Sequence, residues 1–396
     1  MAEWIKSFDE QLKIDPPLSD GQLARIPAKR GLFVLLASDD KPVILLTAAD
    51  MRARLRNRLS ERLDQRRTKA VDLRQVTRKV LWKLTASHFE SDMAFLSASR
   101  KMWPDCFAEL LAWKPAWLVC VDLKAEYPHF FRTQDPSSDG LVLGPFPDGK
   151  SASQFVGAIQ DAYDLCRDYS CLRQSPNASP CAYAQMGRCL SPCNGKIPMD
   201  RYRKVVGEAA EFAAGRRDRL RSELIEKMNL ASVQLEFERA AAVKARIDRL
   251  ADFDKPAYRY VRPLEQFRYI IAQQGGSISK VRVFISSRGL LRAAGTVDYP
   301  PSESQLNRCL KRMAALADRP AEFGRLGSLR MGLVASYLFS AARRRGLIVR
   351  YEGQLTAGKL AEQIEAARDD LKVRIPKPRK KRAVDKDKTS PTGRRV

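Results

Sequence analysis

Five of the eight cysteines fall close together, at Cys166, Cys171, Cys181, Cys189 and Cys193. The last three have the form C-x7-C-x3-C, with Pro180, Gly187 and Pro192 set where the chain must turn. Thiolates that bind one centre have to converge from different backbone directions, and those residue types permit it. Either Cys171 or Cys166 completes a set of four. Four thiolates suit tetrahedral zinc or an iron–sulfur cluster, and the spacing leaves both open, beside the plain alternative of packed, unligated thiols. Cys106, Cys120 and Cys309 stand alone and read as small core residues. The start, Met1 to Glu10, carries three acids and one lysine and has no secretory pattern, so reduced thiols and a cytoplasmic setting are expected.

Charge is the second chemical signal. The 396 residues hold 71 Lys plus Arg against 46 Asp plus Glu, a formal net charge of +25, which suits a polyanionic partner such as nucleic acid and equally a merely basic, solubilising surface. Arg52, Arg54, Arg56, Arg58, Arg62, Arg66, Arg67 and Lys69 face only Glu61 and Asp64 in one stretch. A second cluster, Lys377-Pro378-Arg379-Lys380-Lys381-Arg382, lies in a tail with little to bury, expected to be disordered and able to hold phosphates without sequence preference. His88 and His129 have no catalytic neighbours in sequence. The longest apolar runs are too short and broken to span a membrane.

These residues need elements to hold them. Gly31–Leu36 and Pro42–Leu46 read as a hairpin around Ser38-Asp39-Asp40-Lys41, followed from about Ala49 by a helix capped by Thr47. Helices are expected at about 89–101, 153–169, 303–317 and 328–344, and strands at 117–121, 267–271 and 281–285. From 200 to 253 the pattern is nearly all helical. Leu220, Leu224, Met228, Ala231 and Leu235 form one apolar stripe, and Ala240, Val243, Ile247 and Leu250 another. Two antiparallel helices would meet at Leu235-Glu236-Phe237-Glu238. A phenylalanine between two acids at such a tip is an interface device, although an ordinary self-packed hairpin fits the periodicity too.

The string Pro180-Cys181-x-Tyr183-x-Gln185-Met186-Gly187-Arg188-Cys189-x-x-Pro192-Cys193 resembles the cysteine segment of the UvrC family, the nuclease subunit of bacterial nucleotide excision repair. Tyr127-Pro128 and Gly144-Pro145-Phe146-Pro147-Asp148-Gly149-Lys150-Ser151-Ala152 resemble the approach to it. Leu235 to Arg246 resembles the UVR motif by which UvrC and UvrB associate, with related motifs in adaptors of Clp proteases. The resemblance implies a [4Fe–4S] centre rather than Zn²⁺ on Cys181, Cys189, Cys193 and Cys166 or Cys171. It also implies a UvrB-like helicase docking on Leu235, Glu236, Phe237, Glu238, Ala240, Ala241 and Arg246.

The same resemblance implies a GIY-YIG nuclease before the cysteines, and that domain is degenerate. Phe33 and Ile44 replace the two tyrosines, and Ser97 replaces the metal-binding glutamate, with Glu90 and Asp92 nearby. Arg54 is retained. A divalent metal is needed only if nuclease activity survives, using Arg54 with Glu90 or Asp92. Strands from Phe267 to Val297 resemble the opening of the family's RNase H-like half, whose second active site needs a histidine that this stretch lacks. The expectation is a truncated, α+β multidomain protein: a lead at 1–25, a GIY-YIG-like domain at 26–112, a middle region at 113–200, helices at 201–255 with the UVR motif at 220–253, a C-terminal α/β domain at 256–370 and a basic tail at 371–396. Such a protein would bind double-stranded DNA through Arg52, Arg54, Arg58, Arg62, Arg66, Lys380 and Lys381, and a UvrB-like partner, without cutting. The alternatives are a single-incision endonuclease and a metal-binding adaptor that recruits a Clp-type protease or another partner.

Overall fold

Runs of apolar residues near the N-terminus form strands covered on both sides. In the computed structural model, which describes residues 3–14, 19–59, 73–136 and 140–374, β1 (Glu10–Lys13), β2 (Gly31–Leu36), β3 (Pro42–Ala48) and β4 (Lys79–Leu84) pair antiparallel in the order β1-β4-β2-β3. Helices of six or more residues are numbered here, beginning with α1 (Asp20–Arg25), α2 (Met51–Leu59) and α3 (His88–Met102). Side chains alternate across a strand. Phe33 and Leu35 therefore meet Met51 and Leu55 of α2 on one face, while Leu32, Val34 and Leu36 meet Ala98 of α3 on the other. The expected hairpin is present. The cap of α2 differs: Asp50 Oδ1 accepts from Ala53 N at 2.9 Å, whereas Thr47 pairs with Leu32 inside the sheet.

The second sheet runs β6-β5-β7-β8, from β5 (Trp117–Val121), β6 (Phe131–Thr133), β7 (Leu141–Phe146) and β8 (Arg262–Pro263). Between β7 and β8 the chain makes α4 (Gly149–Tyr163), the cysteine segment, α5 (Met199–Ala213), α6 (Arg217–Val233) and α7 (Phe237–Leu250). The expected helix at 153–169 is shifted: Asp148 caps it at Ser151 N, and Asp164 ends it with φ +49°. Val119, Leu143, Phe155, Tyr202, Phe212, Leu224 and Phe253 share one core, so the boundaries expected after 200 and 255 fall inside a continuous hydrophobic cluster.

The third sheet, β11-β10-β9-β12, is built from β9 (Arg268–Gln274), β10 (Lys280–Ser287), β11 (Leu290–Asp298) and β12 (Leu347–Arg350), all antiparallel. Between β11 and β12 come α8 (Glu303–Ala317) and α9 (Gly324–Leu338), and α10 (Ala357–Ala366) follows β12. α8 and α10 cover one face. α9 lies on the other face and joins its core to that of the second sheet and α3. It ends at Leu338, short of the expected 344, and a separate turn holds Ala342–Arg345. Its close fit depends on Gly332, where a Cβ would lie 2.0 Å from the Lys114 carbonyl. Trp113 Nε1 donates to Leu329 O at 2.9 Å on the same side. The mixed helix-and-sheet class matches the α+β expectation. Among the described residues, no helix is long and apolar enough to cross a membrane.

Candidate functional site

The cysteine segment starts where α4 stops. Cys166 lies beyond the end of that helix rather than closing it, and its backbone N donates to the Tyr202 hydroxyl at 3.2 Å. Its thiol lies 3.2 Å from Asp168 O and also donates to Cys189. Cys189 Sγ in turn accepts from Ser191 N at 3.2 Å. Those two donors favour the thiolate and lower Cys189 to about 6, while sharing its proton with Cys189 pushes Cys166 well up. Cys193 is buried and its O accepts from Ala178 N at 2.9 Å. Cys171 and Cys181 are half-buried, and both lie within electrostatic reach of Cys193.

The segment turns sharply before its last cysteine. Ser191 takes φ +54° ahead of Pro192, and Ser175 Oγ donates to Pro192 O at 2.7 Å. The Arg167 guanidinium lies 5.0 Å over the Tyr183 ring, tying the first cysteine stretch to the second. Soft, partly buried thiols gathered by tight turns have the donor chemistry of a thiolate-held centre. Among the described residues, no three His, Cys, Asp or Glu side chains converge as a ligand set for one ion.

The hairpin of α6 and α7 is rooted in the second core through Leu224 and Leu250, with Val243 and Ile247 packed against it. Its tip is exposed: Leu235 is 71% accessible and Phe237 67%. Leu230 at 57% and Val233 at 80% extend the same apolar patch; sequence reasoning passed over both, although they lie seven and four residues before Phe237. Glu238 and Ala241 are exposed as expected. Glu236 Oε2 accepts from Arg239 at 2.8 Å. Two residues expected at the docking surface are used inside the molecule. Ala240 is buried, and Arg246 Nε donates to Ala162 O at 2.7 Å, which fastens α7 to the end of α4.

Two of the positions that the resemblance assigns to a nuclease, Phe33 and Ile44, are taken up by packing in the first sheet. Phe33 is 1% exposed, between Leu46 on β3 and Trp82 on β4. Ile44 is half-buried opposite Leu35. Arg54 is exposed on α2, whereas Ser97, Glu90 and Asp92 belong to α3 on the opposite face of the sheet. The two carboxylates are also committed. Glu90 accepts from Ala86 N at 2.7 Å and pairs with Arg282 at 3.3 Å. Asp92 accepts from the Tyr337 hydroxyl at 2.7 Å.

Arg52, expected on DNA, instead donates from Nε to Ile26 O at 2.7 Å and from a terminal nitrogen to Ala24 O at 2.8 Å, capping α1. Arg58 is half-buried on α2. Arg62, Arg66, Lys380 and Lys381 lie outside the described residues. Both histidines are structural. His88 faces Arg30 at 3.1 Å and His129 stacks on Tyr169 at 3.8 Å, and burial lowers each below the ordinary imidazole value.

An α+β chain with a cysteine-bearing helical middle and a projecting helical hairpin defines the class. Residues 116–212 match the family described as UvrC/Cho excinuclease, middle domain. The chain is 29% identical over 206 residues to the UvrABC system protein C of Leptospira biflexa, covering 51% of this chain and 33% of that protein. It is 26% identical over 275 residues to the protein of the same name from Dehalococcoides mccartyi, covering 68% and 44%. The match to the Syntrophus aciditrophicus protein is 34% over 132 residues, covering 33% and 21%. The middle of the chain is thus similar to the UvrC/Cho middle domain, and the chain spans less than half the length of these relatives. No solved structure matches it.

Proposed function

We propose that this chain works in nucleotide excision repair as an accessory protein: it holds double-stranded DNA, docks a UvrB-like helicase through its hairpin tip, and leaves incision to another protein. The observation that carries the reading is the pairing of an exposed apolar tip, Leu235 and Phe237, with a nuclease position sealed by Phe33. An exposed patch of large apolar side chains marks an interaction site, and a buried ring has no proton to exchange. The separation of Arg54 from Glu90 and Asp92 across the sheet supports the second half. Cys181, Cys189 and Cys193, with Cys166 or Cys171, would hold the [4Fe–4S] centre. Such a centre would cross-link the turns of this segment, and zinc would do the same without colour.

The test uses the full chain with a UvrB-like helicase and damaged duplex in Mg²⁺ or Mn²⁺. Capture of the helicase by the wild type, its loss in Phe237→Ala and intact DNA throughout are expected. Nicking that disappears in Arg54→Ala would overturn the non-enzyme reading, and capture that survives Phe237→Ala would overturn the docking surface. Anaerobic purification should give about four irons and four sulfides per chain with broad visible absorption. A colourless zinc protein would put the adaptor alternative first.

A further inference from the structure

Ser97 lines a cleft between α3, β11 and α9. It is lined by Met93, Arg100 and Lys101 from α3, Arg292 from β11, and Leu326 and Arg330 from α9. The cavity measures about 260 Å³. Four of its lining side chains are cations, and the nearby counter-charge is Glu322, which holds Arg330 at 2.6 Å. That carboxylate is fixed by backbone: Glu322 N donates to Arg288 O at 2.9 Å, and its carbonyl approaches Gly327 so closely that a Cβ there would lie 1.8 Å away. Arg330 is thereby held half-buried at the cleft wall, 14% exposed. Among the described residues, Arg100, Lys101 and Arg292 have no acidic partner within ion-pair distance.

Like charges gathered at a concave surface repel one another unless an anion sits among them. Burial is the main cause that pushes Arg330 below the ordinary guanidinium value; Glu322 opposes the shift, and the charges of Arg292 and Arg100 add to it. Guanidinium forks match the paired oxygens of a phosphate, and a lysine adds a point charge.

We infer that the cleft bounded by Arg100, Lys101, Arg292 and Arg330 is a phosphate-binding pocket, which would clamp the first sheet's helix to the third sheet's. Ser97, where the family resemblance expects a metal-binding glutamate, lines this cleft. The phosphate could be a backbone phosphate of DNA or a free phosphate group, and the experiment separates the two. Arg100 and Arg292 are exposed, so Arg100→Gln with Arg292→Gln should leave the fold intact, as a circular dichroism melt would check.

With inorganic phosphate alone, a free-phosphate site predicts a rise in melting temperature for the wild type that the double variant lacks. With a fluorescent duplex, a backbone-phosphate site predicts about tenfold weaker binding and a salt slope smaller by about two in the double variant. Lys101→Gln should move the same readout in the same direction. The inference fails if phosphate does not stabilise the wild type and duplex affinity and salt slope are unchanged in both variants. Because the phosphate arm needs no DNA, it stands or falls apart from the DNA-binding reading above.

Discussion

Two phenylalanines mark the contrast that organises this molecule. Phe33 stands where the family resemblance expects a catalytic tyrosine and is 1% exposed; Phe237 stands at the hairpin tip and is 67% exposed. Fully burying such a ring is worth about 1.5–3 kcal/mol. In the first sheet that energy goes into folding, and at the tip it remains available for a partner. Sequence alone presents both as a phenylalanine in a recognisable motif. Environment separates them, because β2 is covered by helices on both faces, whereas among the described residues the tip of α6 and α7 stays exposed.

The hardest way to break this contrast is at Phe33. Phe33→Ala should cost about 3–5 kcal/mol in chemical denaturation, since it opens a cavity against Leu46 and Trp82. Phe33→Tyr is the sharper variant: it restores the hydroxyl but buries it without a partner, at about 1–3 kcal/mol. It should yield no metal-dependent nicking. A tyrosine variant as stable as the wild type, or one that cuts, would mean this position still opens to substrate.

At the tip the effects should reverse. Phe237→Ala should change stability by less than about 0.5 kcal/mol while weakening helicase capture by about 2 kcal/mol, near 30-fold, in a titration. Leu235 sharpens the point because it holds φ +60°, a conformation costly for a side-chain-bearing residue. Leu235→Gly should raise stability by up to about 1 kcal/mol and still weaken the partner. A tip that loses stability in both variants would instead be packed on its own protein.

Much of the fold was legible because it is local. The strands at 31–36, 42–46 and 117–121 are short apolar runs bounded by turn residues, and all three form, the second running on through Thr47 to Ala48. Helix ends were less so. α4 begins at Gly149, a residue type that argues against helix, because Asp148 caps it. α9 starts at Gly324 with no side-chain cap, so its register was read late. The site was legible only in residue type. That Arg52 would cap α1, that Arg246 would bind the end of α4, and that Glu90 and Asp92 would be taken by Arg282 and Tyr337 depends on pairs far apart in the chain. The two-residue strand β8 pairs with β7 across the whole helical insertion, which no local pattern encodes.

The smallest expected effect tests the other half of the contrast, the carboxylates of α3. Burial raises Asp92 above its ordinary 3.8, more than the Tyr337 hydrogen bond and the charges of Arg344 and Arg30 lower it. A carboxyl raised by folding contributes its stability below the ordinary value and loses it as pH climbs through the raised one. Wild-type stability should therefore carry a declining component above pH 3.8 that Asp92→Asn removes, since the amide oxygen still accepts from Tyr337. Melting temperatures over an acid-to-neutral series should show the variant gaining on the wild type as pH rises, and added Mn²⁺ should shift neither curve. Parallel profiles would mean that Asp92 is not held by burial. A Mn²⁺ shift lost in Asp92→Asn would mean that this helix still binds metal, and the opposition between a packed nuclease face and an open hairpin tip would give way to two functional sites on one chain.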